Sequence, residues 1–114
     1  MSHRYSQLSG YRLMWIWTLF DLPVLLDEER KRASRFRADL LDLGFEMVQF
    51  SVYARHAASK EKAEALADQV GRLIPEGGKV SVLFFTDRQF GAIRSYRSQK
   101  SVPVAKKPAQ LLLF

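Results

Sequence analysis

Short apolar runs and helically spaced apolar stripes alternate along the chain, and their order gives a first picture of the fold. Leu13-Met14-Trp15-Ile16-Trp17-Thr18-Leu19-Phe20 is an unbroken run rich in aromatic and branched side chains, closed by Asp21-Leu22-Pro23. Such a run predicts a central strand buried on both faces. Asp27 then offers a helix N-cap, Glu28 and Glu29 suit the positive end of a helix dipole, and Ala33, Phe36, Leu40 and Leu43 recur at helical spacing before Gly44. A helix with one buried stripe is expected. Its other faces carry Arg30, Lys31, Arg32, Arg35 and Arg37, solvated or paired with acids one turn away.

From Phe45 to Arg55 the pattern has a period of two. Val48, Phe50, Val52 and Ala54 fall on one side and Met47, Gln49, Ser51 and Tyr53 on the other, as in a half-buried strand or a pair of short strands. Ser59 caps a second helix whose stripe is Ala63, Leu66, Ala67, Val70, Leu73 and Ile74, stopped by Pro75-Glu76-Gly77-Gly78. Lys79 to Thr86 reads as a further strand, and Ile93 to Arg97 as a weaker one that gives the sheet a polar, arginine-bearing edge. Residues 1–12 form a variable leader, 13–97 the folded core, and 98–114 an extended linker that ends in the abrupt Leu111-Leu112-Leu113-Phe114. Two helices against a small sheet predict an α+β sandwich of ferredoxin-like type, with a small flavodoxin-like sheet as the alternative.

At 114 residues and 47% hydrophobic, the chain can bury the core of one domain. The absence of Cys removes disulfides, thiolate metal sites and cysteine nucleophiles, and His3 and His56 are too few for a histidine zinc site. A reducing cytoplasm is the natural setting. No apolar run approaches the roughly 18 residues of a membrane span, and the first ten residues lack the apolar core of a signal peptide. The net charge of +6 is concentrated: the first 87 residues hold 12 basic and 12 acidic side chains, whereas Arg88 to Phe114 holds six basic residues and no acid. This quarter is either a solvated tail or a phosphate-contacting surface, in which Arg94, Arg97 and Lys100 are the candidate nucleic-acid contacts.

Candidate chemistry begins with carboxylates. Asp21 stands at the end of the apolar strand, where a side chain is exposed yet rigidly placed. A lone carboxylate holds Mg²⁺ poorly, but a twofold axis would bring two copies of Asp21 together. The competing role is an Asx-type turn residue before Leu22-Pro23. Asp87, with Arg88 beside it, reads as a surface or turn residue. No glycine-rich phosphate loop or internal repeat is present.

Met14-Trp15, Phe20-Asp21-Leu22-Pro23, Arg35-Phe36-Arg37, Gly44-Phe45-Glu46-Met47, Gln49-Phe50-Ser51-Val52-Tyr53-Ala54-Arg55, Gly78-Lys79-Val80, Thr86-Asp87-Arg88-Gln89-Phe90 and the closing Gln110 to Phe114 form an ordered series. In that order and spacing they resemble the second CRISPR-associated protein family, the small CRISPR adaptation endoribonucleases, in their type II form. The resemblance implies a ferredoxin-like βαββαβ core, an added C-terminal strand and a homodimer whose two sheets face each other, with Leu111 to Phe114 pairing onto the partner. Such a fold needs a break between its second and third strands, which is expected near Gln49 to Ser51.

By the same resemblance Asp21 matches the metal-binding aspartate for Mg²⁺ or Mn²⁺. Ser51 and Arg55 then match the polar and basic members of a segment that holds or orients the phosphate, completing the candidate catalytic set of Asp21, Ser51 and Arg55. The implied roles are metal-dependent phosphodiester hydrolysis on RNA or DNA, and scaffolding of a CRISPR integrase on duplex DNA that becomes a new spacer. Single-stranded RNA is a further candidate ligand. The alternative is a toxin-like ribonuclease or RNA-binding module of the same fold, although the aromatic and glycine pattern of an RNA recognition motif is missing.

Overall fold

The computed structural model describes residues 13–98. The leader, nearly all of the linker with Lys100, and the apolar terminus lie outside the described residues.

The elements run β1 (Met14–Asp21), α1 (Asp27–Asp42), β2 (Glu46–Gln49), β3 (Val52–Ala57), α2 (Lys60–Arg72), β4 (Lys79–Thr86) and α3 (Asp87–Gly91). The strands form one four-stranded sheet in the order β2-β3-β1-β4, with every neighbouring pair antiparallel. Two interleaved split β-α-β units make this the expected ferredoxin-like arrangement. The parallel pairing of a flavodoxin-like sheet does not occur among the described strands.

β1 is central, flanked by β3 and β4, but it is not buried on both faces. Ile16, Thr18 and Phe20 point into the core, whereas Leu19 on the opposite face keeps 38% of its surface exposed. Both long helices lie on the first face: Phe36 and Leu40 of α1 and Ala63 and Val70 of α2 join Ile16 and Phe20 in one cluster. The Phe20 and Phe36 rings meet edge to face, with centroids 5.1 Å apart. Thr18, the one buried polar side chain among the described residues, donates its hydroxyl to the Tyr53 carbonyl at 3.1 Å. A continuous apolar run carries no signal that separates a strand covered twice by its own chain from one whose second face is left open.

Asp27 is the first residue of α1, and the cap falls on Leu26. Among the described residues no side chain caps the first-turn amides; instead Glu29 Oε1 reaches back and accepts from the Leu25 and Leu26 amides, each at 2.9 Å. The far end closes as a Schellman motif, with Gly44 at φ 91° and with the Gly44 and Phe45 amides donating to the Leu41 and Leu40 carbonyls. Phe45 and Leu40, both buried, supply its apolar contact. On α2, Ser59 caps as expected, its Oγ accepting from the Lys62 amide at 3.1 Å.

The break between β2 and β3 falls at Phe50-Ser51, within the anticipated stretch, with Ser51 in the left-handed region at φ 65°. The period-two reading across it fails in part. A register shift between Met47 and Gln49 sets Val48 in a bulge and buries it, and the turn leaves Phe50 79% exposed instead of beside Val48.

The weak strand over Ile93 to Arg97 does not form. The chain instead turns into α3 directly after β4, and the Ile93 amide donates to the Phe90 carbonyl at 3.1 Å, tying it to the helix end. The cause is a capping box: Thr86 Oγ1 accepts from the Gln89 amide and Gln89 Oε1 accepts from the Thr86 amide. α3 is then anchored to the open sheet face, where Trp15 Nε1 donates to Asp87 at 2.9 Å and stacks on Phe90 at a centroid distance of 3.8 Å. Asp87 thus has the structural part read from its sequence context.

Candidate functional site

Asp21 closes β1 opposite Lys79 of β4 and is exposed. Side chains alternate along a strand, so Asp21 shares the open face of the sheet with Trp15, Trp17 and Leu19. Its position is held from both sides. The preceding amide, that of Phe20, donates to the Ser51 carbonyl at 3.1 Å, and the next residue, Leu22, is buried. Gly78 lets the start of β4 close on that point: a Cβ there would lie 2.6 Å from Leu22 Cδ2 and 3.1 Å from the Pro75 carbonyl, so a side chain would have to push the buried Leu22 aside. The Asp21 carboxylate accepts no hydrogen bond among the described residues, so the Asx turn before Leu22-Pro23 is not formed.

Ser51 therefore comes to the same end of the sheet as Asp21. Arg55 does not. It lies four residues further along β3, opposite Ile16, about 13 Å away at the rise of an extended strand. Its guanidinium donates from Nη1 to the Leu43 carbonyl and from Nε to the His56 carbonyl at 2.9 Å. A cation at the C-terminal end of α1 suits both the orphan carbonyls and the helix dipole. Gly44 makes room for it, since a Cβ there would sit 2.9 Å from Arg55 Nη1.

Arg94 and Arg97 are exposed on a segment without regular structure after α3, and Lys100 lies outside the described residues. No three His, Asp or Glu side chains gather among the described residues, so one chain offers a divalent ion the single carboxylate of Asp21. That donor is a hard oxygen, of the type Mg²⁺ or Mn²⁺ takes, but it leaves most of an octahedral shell unfilled by this chain.

The sequence reading left Arg37 among the solvated helix cations. The structure places its guanidinium 5.9 Å from the Phe20 ring centroid and 5.1 Å from that of Phe50, at the same end of the sheet as Asp21. The available signal was its place directly after Phe36, at the margin of the buried stripe. Lys79, the cross-strand neighbour of Asp21, was likewise hidden, because a strand register is not written in a single segment.

The sequence model of CRISPR associated protein Cas2 matches residues 14–93, which is most of the chain. This chain belongs to the Cas2 family. The CRISPR-associated endoribonuclease Cas2 of Paracidovorax avenae is 47% identical over 107 residues, covering 94% of this chain and 99% of that relative. Proteins of the same name from Flavobacterium psychrophilum and Parvibaculum lavamentivorans are each 46% identical, covering 96% and 89% of this chain and 96% and 100% of their own. A crystal structure of cas2 superposes with a TM-score of 0.52 at 21% identity, covering 82% of this chain and 99% of that one. That likeness supports the Cas2 fold seen here and extends no further. Among the described residues of this family member no helix is long and apolar enough to cross a membrane.

Proposed function

We propose that this chain is a cytoplasmic CRISPR adaptation protein of the type II form, acting as a homodimer that scaffolds the integrase on spacer DNA and hydrolyses phosphodiester bonds. The names of its relatives support the nuclease part of this reading. The observation that carries it is the face on which Asp21 stands. Asp21 is in phase with Trp15, Trp17 and Leu19, on the side of the sheet that neither long helix covers. A second copy closing that apolar face would bring two Asp21 carboxylates into one interface and supply the second donor that a single chain lacks.

In this arrangement both Asp21 side chains would hold Mg²⁺ or Mn²⁺. When bound, the ion draws charge from a phosphodiester oxygen and lowers the pKa of water. Ser51, held beside the end of β1, orients the substrate, a role that the geometry supports better for Ser51 than for the distant Arg55. Arg94, Arg97 and Lys100 contribute phosphate contacts to duplex DNA, and the terminal Leu111 to Phe114 extends the partner's sheet.

Two assays on one Asp21→Asn dimer test this reading. Cleavage of RNA and duplex DNA with Mg²⁺ or Mn²⁺ is expected to fall at least a hundredfold, while spacer integration with the cognate integrase persists. Undiminished metal-dependent cleavage removes Asp21 from the reaction, and loss of integration by a correctly folded dimer overturns the separate scaffold role.

A further inference from the structure

Of the five arginines and lysines on α1, Arg37 alone is sequestered between aromatic rings. Arg30 pairs with Asp27, and Arg35 lies 3.7 Å from Asp39. Arg37 has no carboxylate partner among the described residues, and its Nε is buried without a hydrogen-bond partner. Its guanidinium lies over Phe20, which is 7% exposed, and over Phe50, which is 79% exposed. A large apolar ring is thus left open to water on a turn whose backbone is tied to the end of β1. The Ser51 carbonyl accepts from the Phe20 amide, and Ser51 itself adopts a left-handed φ of 65°, a conformation uncommon for a residue with a Cβ. The result is an exposed aromatic ring backed by a cation with no carboxylate partner among the described residues, at the same end of the sheet as Asp21 and on its opposite face.

An aromatic face beside a cation is the combination that binds a single unstacked nucleotide: the base stacks on the ring and the guanidinium takes the adjoining phosphate. A duplex cannot use it, because its bases are already stacked and their faces hidden. We propose that Phe50 and Arg37 form a single-strand binding site, with one base stacked on Phe50 and its phosphate held by Arg37, on the helix-covered side of the sheet at the end where Asp21 closes β1. This site rests on the proposed nuclease reading for its purpose but not for its binding chemistry.

The test is binding of fluorescein-labelled hexamers of uridine and of deoxythymidine, and of a labelled DNA duplex, followed by anisotropy in EDTA so that no turnover intervenes. Phe50→Leu is expected to weaken both hexamers about tenfold while duplex affinity stays within twofold. Arg37→Gln is expected to weaken them comparably and to reduce the salt slope by about one, with Arg37→Lys recovering the salt slope. Circular-dichroism melts confirm that each variant is folded. Because the assay holds neither metal nor turnover, a failed nuclease assay leaves this readout intact. Weakening of uridine alone marks RNA as the ligand, and equal weakening of both marks a single strand read without its 2′-hydroxyl. Hexamer affinity unchanged by Phe50→Leu, or duplex affinity falling in parallel, overturns the site.

Discussion

The two faces of β1 are built from the same run of residues and do opposite things. Ile16, Thr18 and Phe20 are sealed beneath α1 and α2, where even the threonine hydroxyl has its acceptor. Trp15, Trp17, Leu19 and Asp21 alternate with them on a face that carries only the short helix α3, pinned by the Trp15–Asp87 hydrogen bond and the Trp15–Phe90 stack. The first face is complete within one chain. The second presents apolar side chains such as Leu19 and Leu83, each 38% exposed, together with an unpaired carboxylate. A core face and an open face thus share one strand, and it is the open face that carries the candidate chemistry.

The largest effect that separates the faces belongs to the sealed one. Phe36→Ala, at a site 1% exposed, is expected to destabilise the chain by about 3–5 kcal/mol in urea unfolding, because the helices cannot collapse into the vacated space. Leu83→Lys on the open face is expected to do the reverse. It weakens self-association about a hundredfold by light scattering and shifts the unfolding of the single chain by less than about 0.5 kcal/mol. Equal stability losses from the two would erase the distinction between core and interface.

Smaller substitutions sharpen it. Arg55→Gln removes the cation from the end of α1 and is expected to cost about 1–2 kcal/mol of stability with metal-dependent cleavage retained. Cleavage lost at unchanged stability would return Arg55 to the site with Asp21 and Ser51. Thr86→Ala breaks the capping box of α3 and is expected to cost about 1 kcal/mol, with a red shift of tryptophan emission as Trp15 loses its cover. An unmoved emission maximum would mean that the Trp15–Asp87 contact holds α3 without its cap.

Local signals carried most of the fold. The apolar run of β1, the stripe Ala33, Phe36 and Leu40, the Ser59 cap and the Gly44 stop each act within a few residues, and each is found where the sequence puts it. The exposed place of Asp21 at a strand end followed from the same local reading. What escaped was non-local or displaced by competing local chemistry. No segment reveals which face of β1 the helices choose, that Lys79 stands opposite Asp21, or that Arg55 ends up far from Ser51 and bonded to the end of α1. The expected strand over Ile93 to Arg97 does not form, and the Thr86–Gln89 box that starts α3 just before it is a local signal the sequence reading did not use. The bulge at Val48 moved Phe50 out of the core, and with it the clue that Arg37 is more than a solvated helix charge.

The central claim is that the open face of the sheet pairs with its own copy and so unites two Asp21 carboxylates around one ion. A crystal structure of the protein grown with Mn²⁺, with anomalous scattering measured at the manganese edge, tests it most directly. A dimer closed through the Trp17 and Leu83 face is expected, with an anomalous peak on the twofold axis between the two Asp21 side chains. A dimer closed through another surface, or this dimer with its Asp21 carboxylates too far apart to share the manganese, would contradict it.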